Sequence, residues 1–99
     1  EPTSANAAVT IESATVTGTG NDLALKIDYS GAKGYPIVLV TYEITCEKGL
    51  DASLAKLTKS FLTYTSSDEA QAKLSSTGYV PITGDLLTKV RTAVSSISA

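Results

Sequence analysis

The sequence predicts a mixed fold of the α+β kind, in the order helix, strand, strand, helix, helix, helix. Three observations lead to this prediction. Residues 23–29 and 37–46 carry apolar and β-branched residues in patterns typical of strands. The second half of the chain has apolar residues at helical spacing, after residues suited to cap helices. The 99 residues are 42% hydrophobic and 18% charged, which is the composition of one small folded unit.

A short helix is predicted at the start of the chain, where Thr3 or Ser4 can cap its first turn. Gly18 and Gly20 are expected to end it. We interpret residues 17–22 as a turn and not as an anion-binding loop, because they precede a strand and lack the lysine of a P-loop. The helix needs a neighbour, because its apolar residues are small and few: Ala7, Ala8, Ile11 and Ala14.

Two strands are predicted next. Residues 23–29 alternate strictly between apolar and polar positions, as in a strand with one wet face. Residues 37–46 begin with a continuous apolar run and are the strongest element in the sequence, with a start expected to be buried on both faces. Pro36 precedes this run, at a position where a missing N–H is tolerated. The glycine-rich break at residues 31–34 is the one credible domain boundary.

The remainder is predicted to be helical. Asp51 is expected to cap a helix whose apolar stripe would face the core: Leu50, Leu54, Leu57, Phe61 and Leu62. Ser66 and Glu69 have the spacing of a capping box for a second, shorter helix. Gly78 is expected to end that helix in the left-handed conformation.

A final helix is predicted after an extended, apolar stretch at residues 79–82. Either Thr83 or Asp85 is suited to cap it. Its apolar residues recur on one side: Leu86, Leu87, Val90, Val94 and Ile97. Arg91, the single arginine, lies beside Lys89 in the middle of this helix, and we interpret it as a solvated residue in preference to an oxyanion ligand.

The composition argues against several functions. Eight Lys and Arg against ten Asp and Glu give a net charge of −2, which lacks the basic footprint of a nucleic-acid or membrane-surface binder. Without His, the commonest general base and metal ligand is absent, and we expect neither an enzyme nor a metal or cofactor site. The acidic residues and the five tyrosines have structural explanations that we prefer to catalysis or base stacking.

Cys46 is the single cysteine, so no disulfide can form within the chain. Two interpretations stay open. If this chain is a segment of a longer, exported protein, Cys46 pairs with a cysteine elsewhere in that protein. Otherwise it is a buried thiol. A nucleophilic role is disfavoured because no histidine can serve as its base. The chain has no Met and begins with Glu1, from which we expect a processed product or a piece of something longer.

Several sequence motifs in a fixed order resemble a known family. They are GYPIVLVTYEITC, then LTKSFLTYTSSDEAQAKLSSTGYVPIT, then an amphipathic helix. In this order the sequence resembles the C-terminal third of the phosphate-binding protein of the phosphate ABC transporter, in its actinobacterial version. The resemblance covers essentially all of the chain.

The resemblance implies a two-lobed α/β fold of the periplasmic-binding-protein type, with phosphate buried between the lobes. Residues 1–34 would then end the second lobe, residues 35–42 would be a strand crossing the hinge, and residues 43–99 would complete the first lobe. The implied mechanism is hinge closure. The hinge candidates are Gly31, Gly34, Tyr35 and Pro36.

The two motifs with which this family grips phosphate are absent from the sequence. We therefore expect no phosphate-contacting residue here, only scaffold and hinge. The implied partners are inorganic phosphate and the permease subunits of the transporter. The implied location is outside the cytoplasm, in the periplasm or at a cell surface where a lipid anchor can hold the full-length protein. Exposed strand edges favour self-association of the isolated segment. The alternatives are a binding protein of the same fold for another oxyanion, and a self-standing secreted interaction module.

Overall fold

The computed structural model describes residues 1–30 and 33–99, which form four α-helices, one 3-10 turn and one two-stranded sheet. In chain order, the first half holds helix α1 (Ser4–Glu12) and strands β1 (Thr15–Val16) and β2 (Leu25–Lys26). The second half holds α2 (Ala52–Thr65), α3 (Asp68–Leu74), the 3-10 turn (Ser75–Thr77) and α4 (Gly84–Ser95). The α+β prediction is consistent with this content.

Helix α1 begins where the sequence predicts, because the Thr3 side chain accepts a hydrogen bond from the Asn6 N–H at 3.2 Å. It ends earlier than predicted, with Ser13 as its C-cap. The chain then forms β1, which is not among the predicted strands, and β1 pairs antiparallel with β2 in the register Thr15 to Lys26 and Val16 to Leu25. The predicted strand at residues 23–29 is thus confirmed only at its centre.

The prediction of a strand over residues 37–46 is wrong for this chain. These residues adopt no strand. Leu39 and Ile44 are 94% and 93% exposed, and Ile37 is 78% exposed. A strand needs a neighbour for its N–H and C=O groups, and within the described residues no other segment forms a ladder with this one.

The core lies between α2 and α4. Leu62 of α2 packs with Val94 and Ile97, and Val90 adds a partly buried side chain. The predicted α2 stripe is correct only for Leu62, because its other members are exposed or half-buried. The second residue of α2 that faces the core is Ala55, at 4% exposure.

The turn between α2 and α3 differs from the predicted capping box by one residue. Ser67 is the N-cap of α3, and its hydroxyl accepts a hydrogen bond from the Ala70 N–H at 3.2 Å. Ser66 is buried instead, and its hydroxyl donates to the Leu62 carbonyl at 2.8 Å. On the α3 surface, hydrogen bonds to Glu69 and then to the Tyr64 hydroxyl raise the pKa of Lys73.

Arg91 is exposed, as the sequence predicts, with 44% of its side chain open to solvent, but its guanidinium is also bonded to the α2–α3 turn. Its Nε and Nη2 both donate to the Ser66 carbonyl, at 3.0 and 2.9 Å. Nη2 also donates to the Asp68 carboxylate at 2.7 Å. The guanidinium therefore ties the α2–α3 turn to α4.

Two further predicted helix ends are confirmed. Gly78 follows the 3-10 turn with φ +85°, in the left-handed region where glycine is favoured. Thr83 is the N-cap of α4, but its hydroxyl donates to Glu12 of α1 at 2.7 Å and makes no capping bond. No helix in the described part of the chain is long and apolar enough to cross a membrane.

Arg91→Ala is expected to lower the free energy of unfolding by about 1–2 kcal/mol, because a carbonyl bonded twice by a charged donor loses its partner. Asp68→Asn should cost less, since exposed ion pairs contribute under about 1 kcal/mol. Urea denaturation of the two variants measures both effects. Equal losses in the free energy of unfolding would mean that the ion pair, and not the hydrogen bonds to the Ser66 carbonyl, accounts for the stabilisation by Arg91.

Candidate functional site

Two of the predicted hinge residues, Gly34 and Tyr35, lie against helix α1. The Tyr35 N–H donates to the Asn6 carbonyl at 2.9 Å. The Thr10 hydroxyl donates to the Tyr35 carbonyl at 2.8 Å. Tyr35 is thus bonded to α1 through both of its backbone polar groups. The hinge candidate Gly31 lies outside the described residues.

Thr10 is the most buried side chain of this contact, with 0% of its surface exposed. A hydroxyl so placed must have a hydrogen-bond partner, because an unpaired buried donor costs about 1–3 kcal/mol. The Tyr35 carbonyl is that partner. The sequence gives no indication of this role for Thr10, because a threonine inside a weak helical stripe carries no signal of burial.

Gly34 is required by close packing. A Cβ at this position would collide with the Asn6 carbonyl oxygen and would lie 2.9 Å from the Thr10 hydroxyl oxygen. Its φ is not in the left-handed region, so backbone freedom is not the reason for glycine here. Gly34 is a hinge candidate by its residue type, whereas in the structure its lack of a side chain allows close packing on α1.

An open groove runs between β2 and the chain that follows Pro36. It has a volume of about 340 Å³ and is lined mainly by apolar side chains: Leu25, Ile27, Tyr29, Leu39, Val40 and Tyr42. One polar bond crosses it, from the Leu25 N–H to the Tyr42 hydroxyl at 3.1 Å. Lys26 is the one cation of the lining, and with no cluster of positive charge the groove is unsuited to hold an oxyanion.

The glycine-containing loop at residues 17–22 is a turn, as predicted. Gly20 has φ +59°, and the Asp22 N–H donates to the Thr19 carbonyl at 3.1 Å. The Asn21 side-chain amide points across the molecule and donates to Glu47 and to the Ser96 hydroxyl, both at 3.0 Å.

Cys46 is a free, exposed thiol. The buried-thiol interpretation is therefore wrong, because residues 37–46 do not enter a sheet that could cover this side chain. Within the described residues, the acidic side chains and the cysteine form no group able to hold a metal ion.

The motif residues behind the family resemblance make structural contacts. Gln71 donates from its amide nitrogen to the Thr65 carbonyl at 2.8 Å and accepts from the Ile82 N–H at 3.0 Å. It thereby fixes the extended residues 79–82 beside the end of α2. Gln71 lies within the second motif of the family resemblance, but this contact cannot be predicted from one sequence.

Gly34→Ala is expected to destabilise the fold by about 1–3 kcal/mol, since the added methyl meets a backbone carbonyl that cannot move alone. Lys33→Ala, at the exposed neighbouring residue, is the matched control and should change little. Thermal denaturation compares them. Equal midpoints for the two variants would refute the close packing of Gly34 on α1.

Three curated relatives illustrate what the chain is similar to. Phosphate-binding protein PstS 3 of Mycobacterium tuberculosis is 41% identical over 93 residues, and that of Mycobacterium leprae is 42% identical over the same length. Phosphate-binding protein PstS 2 of Mycobacterium tuberculosis is 36% identical. Each alignment covers 90% of this chain and 25% of the relative.

The chain spans about a quarter of the length of the curated relatives it matches. No protein-family model and no solved structure matches it. Over nine-tenths of its length, the chain matches a segment of the phosphate-binding protein PstS 3.

Proposed function

We propose that this chain is the scaffold and hinge segment of an extracytoplasmic phosphate-binding protein, the substrate-binding component of an ABC phosphate importer. The observation that carries the proposal is the 41% identity over 93 residues to proteins named for phosphate binding. The role is binding and not catalysis. The partners of the whole protein would be inorganic phosphate and the permease subunits.

The proposed division places residues 1–34 in one lobe, residues 35–42 in the crossing strand and residues 43–99 in the other lobe. Its support is the state of residues 37–46, which have the composition of a strand but pair with no strand, and most of which are exposed in this chain. Such residues are stable in water only when neighbouring strands cover them. In a two-lobed parent those strands would come from the rest of the protein, and in the isolated segment a second copy would take their place.

The anchoring of Tyr35 on α1 defines where bending would begin. With both backbone groups bonded to α1, Tyr35 would move as a body with residues 1–34. Pro36 fixes its own φ, so bending would take place at the backbone torsions after the Pro36 ring. The α1 contact with Thr83 and the Asn21 contact with Ser96 would then be made and broken as the lobes move.

Titration calorimetry of the full-length parent tests the ligand. Phosphate is expected to bind at one saturable site, and sulfate at the same concentration should bind far more weakly. Binding of sulfate in preference to phosphate would favour the alternative of a different oxyanion. Absence of binding to either would reject the proposed function.

The hinge is tested by comparing structures of the full-length parent with and without phosphate. Backbone torsions between residues 31 and 42 are expected to change, while α1 keeps its contact with Tyr35 and α2 keeps its packing on α4. Lobes that move without any torsion change in residues 31–42 would place the hinge elsewhere.

Cys46 is proposed to form a disulfide with a cysteine outside this segment. Its exposure leaves the thiol accessible to a partner, and structural disulfides are favoured outside the cytoplasm. Alkylation of the unreduced full-length protein followed by peptide mass analysis should find Cys46 blocked, and reduction should free it. A peptide alkylated at Cys46 before reduction would contradict the pairing.

A further inference from the structure

Helix α2 has two apolar faces where a surface helix needs one. Ala55 and Leu62 form the first and are buried, and Leu62 packs against Val94 of α4. The second, here called the outer stripe, lies about a third of a turn around the helix and consists of Leu54, Leu57, Phe61 and Tyr64. A third face of the helix is polar and exposed: Ser53, Lys56, Ser60 and Thr63.

The outer stripe is exposed in this chain. Its members have 48%, 67%, 59% and 49% of their surface open to solvent, in the order Leu54, Leu57, Phe61 and Tyr64. Their spacing of three, four and three residues makes one continuous seam along the helix. A contiguous apolar seam with a polar rim is typical of an interface and not of a solvent face.

The whole chain exposes more surface than its mass predicts. Its accessible surface is 6763 Å². A folded monomer of 10.2 kDa would expose roughly 5300 Å², which is about 1400 Å² less. A dimer of standard size covers only about 800 Å² of each partner. The excess is therefore larger than one such contact with a second copy would cover.

The rim of the outer stripe also disfavours a second α2 as its partner. Paired helices are specified by charged residues that flank the seam. On α2 itself the flanking residues are small and neutral: Ser53, Thr58, Ser60 and Thr65. A charged group beside the seam is Lys73 of α3, which donates to the Tyr64 hydroxyl at 3.4 Å and is already paired with Glu69. Small hydroxyl residues allow close approach to a broad surface without setting an ion-pair register.

We propose that the outer stripe is an internal interface of a longer protein, covered by the part of the parent that this chain lacks. The inference rests on the proposed function in that it takes the chain as a segment. The sequence matched here is 25% of the length of its relatives, so three quarters of such a parent is available to cover the seam. Phe61 and Tyr64, as the largest side chains of the seam, would be the most deeply covered.

Hydroxyl-radical footprinting of the full-length parent tests this burial without any substitution. The oxidation rates of Phe61 and Tyr64 are compared between the native protein and the protein in urea. If the seam is covered, native oxidation should be at least about tenfold slower. A native rate within about twofold of the denatured rate, as the exposure of these rings in this chain predicts, would overturn the proposal.

Two variants of the same parent give an independent measurement. Phe61→Lys should lower the urea midpoint or abolish folding, whereas Ser60→Lys places the same side chain on the adjacent polar face and should leave the midpoint unchanged. Equal midpoints for Phe61→Lys and Ser60→Lys would overturn the proposal. Failure of Phe61→Lys to fold, with Ser60→Lys folding normally, supports it.

Two further outcomes distinguish burial of the outer stripe inside the parent from burial by a second copy, and from the proposed phosphate-binding function. Protection of Phe61 that disappears on dilution, as sedimentation shows a dimer becoming a monomer, would assign the seam to a second copy and overturn the proposal. Phosphate titration of the same sample tests the function separately. Protection without phosphate binding supports the interface and rejects the phosphate role, and binding without protection rejects the interface alone.

Discussion

The contact between α2 and α4 is the interaction on which the rest of this chain depends. It is small, with Leu62, Val94 and Ile97 as its buried members. So few side chains give little hydrophobic stabilisation, and the remaining elements are held largely by polar groups directed at backbone carbonyls. Arg91 donates to the Ser66 carbonyl in the α2–α3 turn, and Gln71 donates to the Thr65 carbonyl and so holds the stretch before α4. The secondary structure is therefore well defined although the core is thin.

This balance supports the proposed role as a segment of a larger protein. A self-standing module of this size would be expected to bury its large apolar side chains, whereas here many remain at the surface. They gather in two places, along residues 37–46 and along the outer stripe of α2. Residues 37–46 resemble a strand without its neighbours, and the outer stripe resembles a helix face without its packing partner. Both features are expected when a lobe made of a sheet and its covering helices is divided.

The sequence predicted the helices better than the strands, and the reason is physical. Helices close their hydrogen bonds within themselves, so the Thr3 cap and Gly78 mark real ends whatever surrounds them. A strand depends on a partner that can lie far away in sequence, and residues 37–46 have the composition of a strand without a neighbour. Helical periodicity also cannot tell which of two apolar faces meets the core, which is why Leu57 and Phe61 were assigned to it. At the candidate hinge, Gly34 and Tyr35 were found from their residue types, but Thr10 was missed because its burial arises only from the fold.

The meeting of Asn6, Thr10 and Gly34 has a consequence for how related sequences can vary. The carbonyl of Asn6, the hydroxyl of Thr10 and the missing Cβ of Gly34 occupy one small volume. A larger residue at position 34 would be accepted only with a shifted α1, and loss of the hydroxyl at position 10 would call for another donor to the carbonyl of residue 35. In relatives that retain this contact, positions 10 and 34 should therefore co-vary, and a change at one should mark a lineage in which the junction between α1 and the crossing segment has been rebuilt.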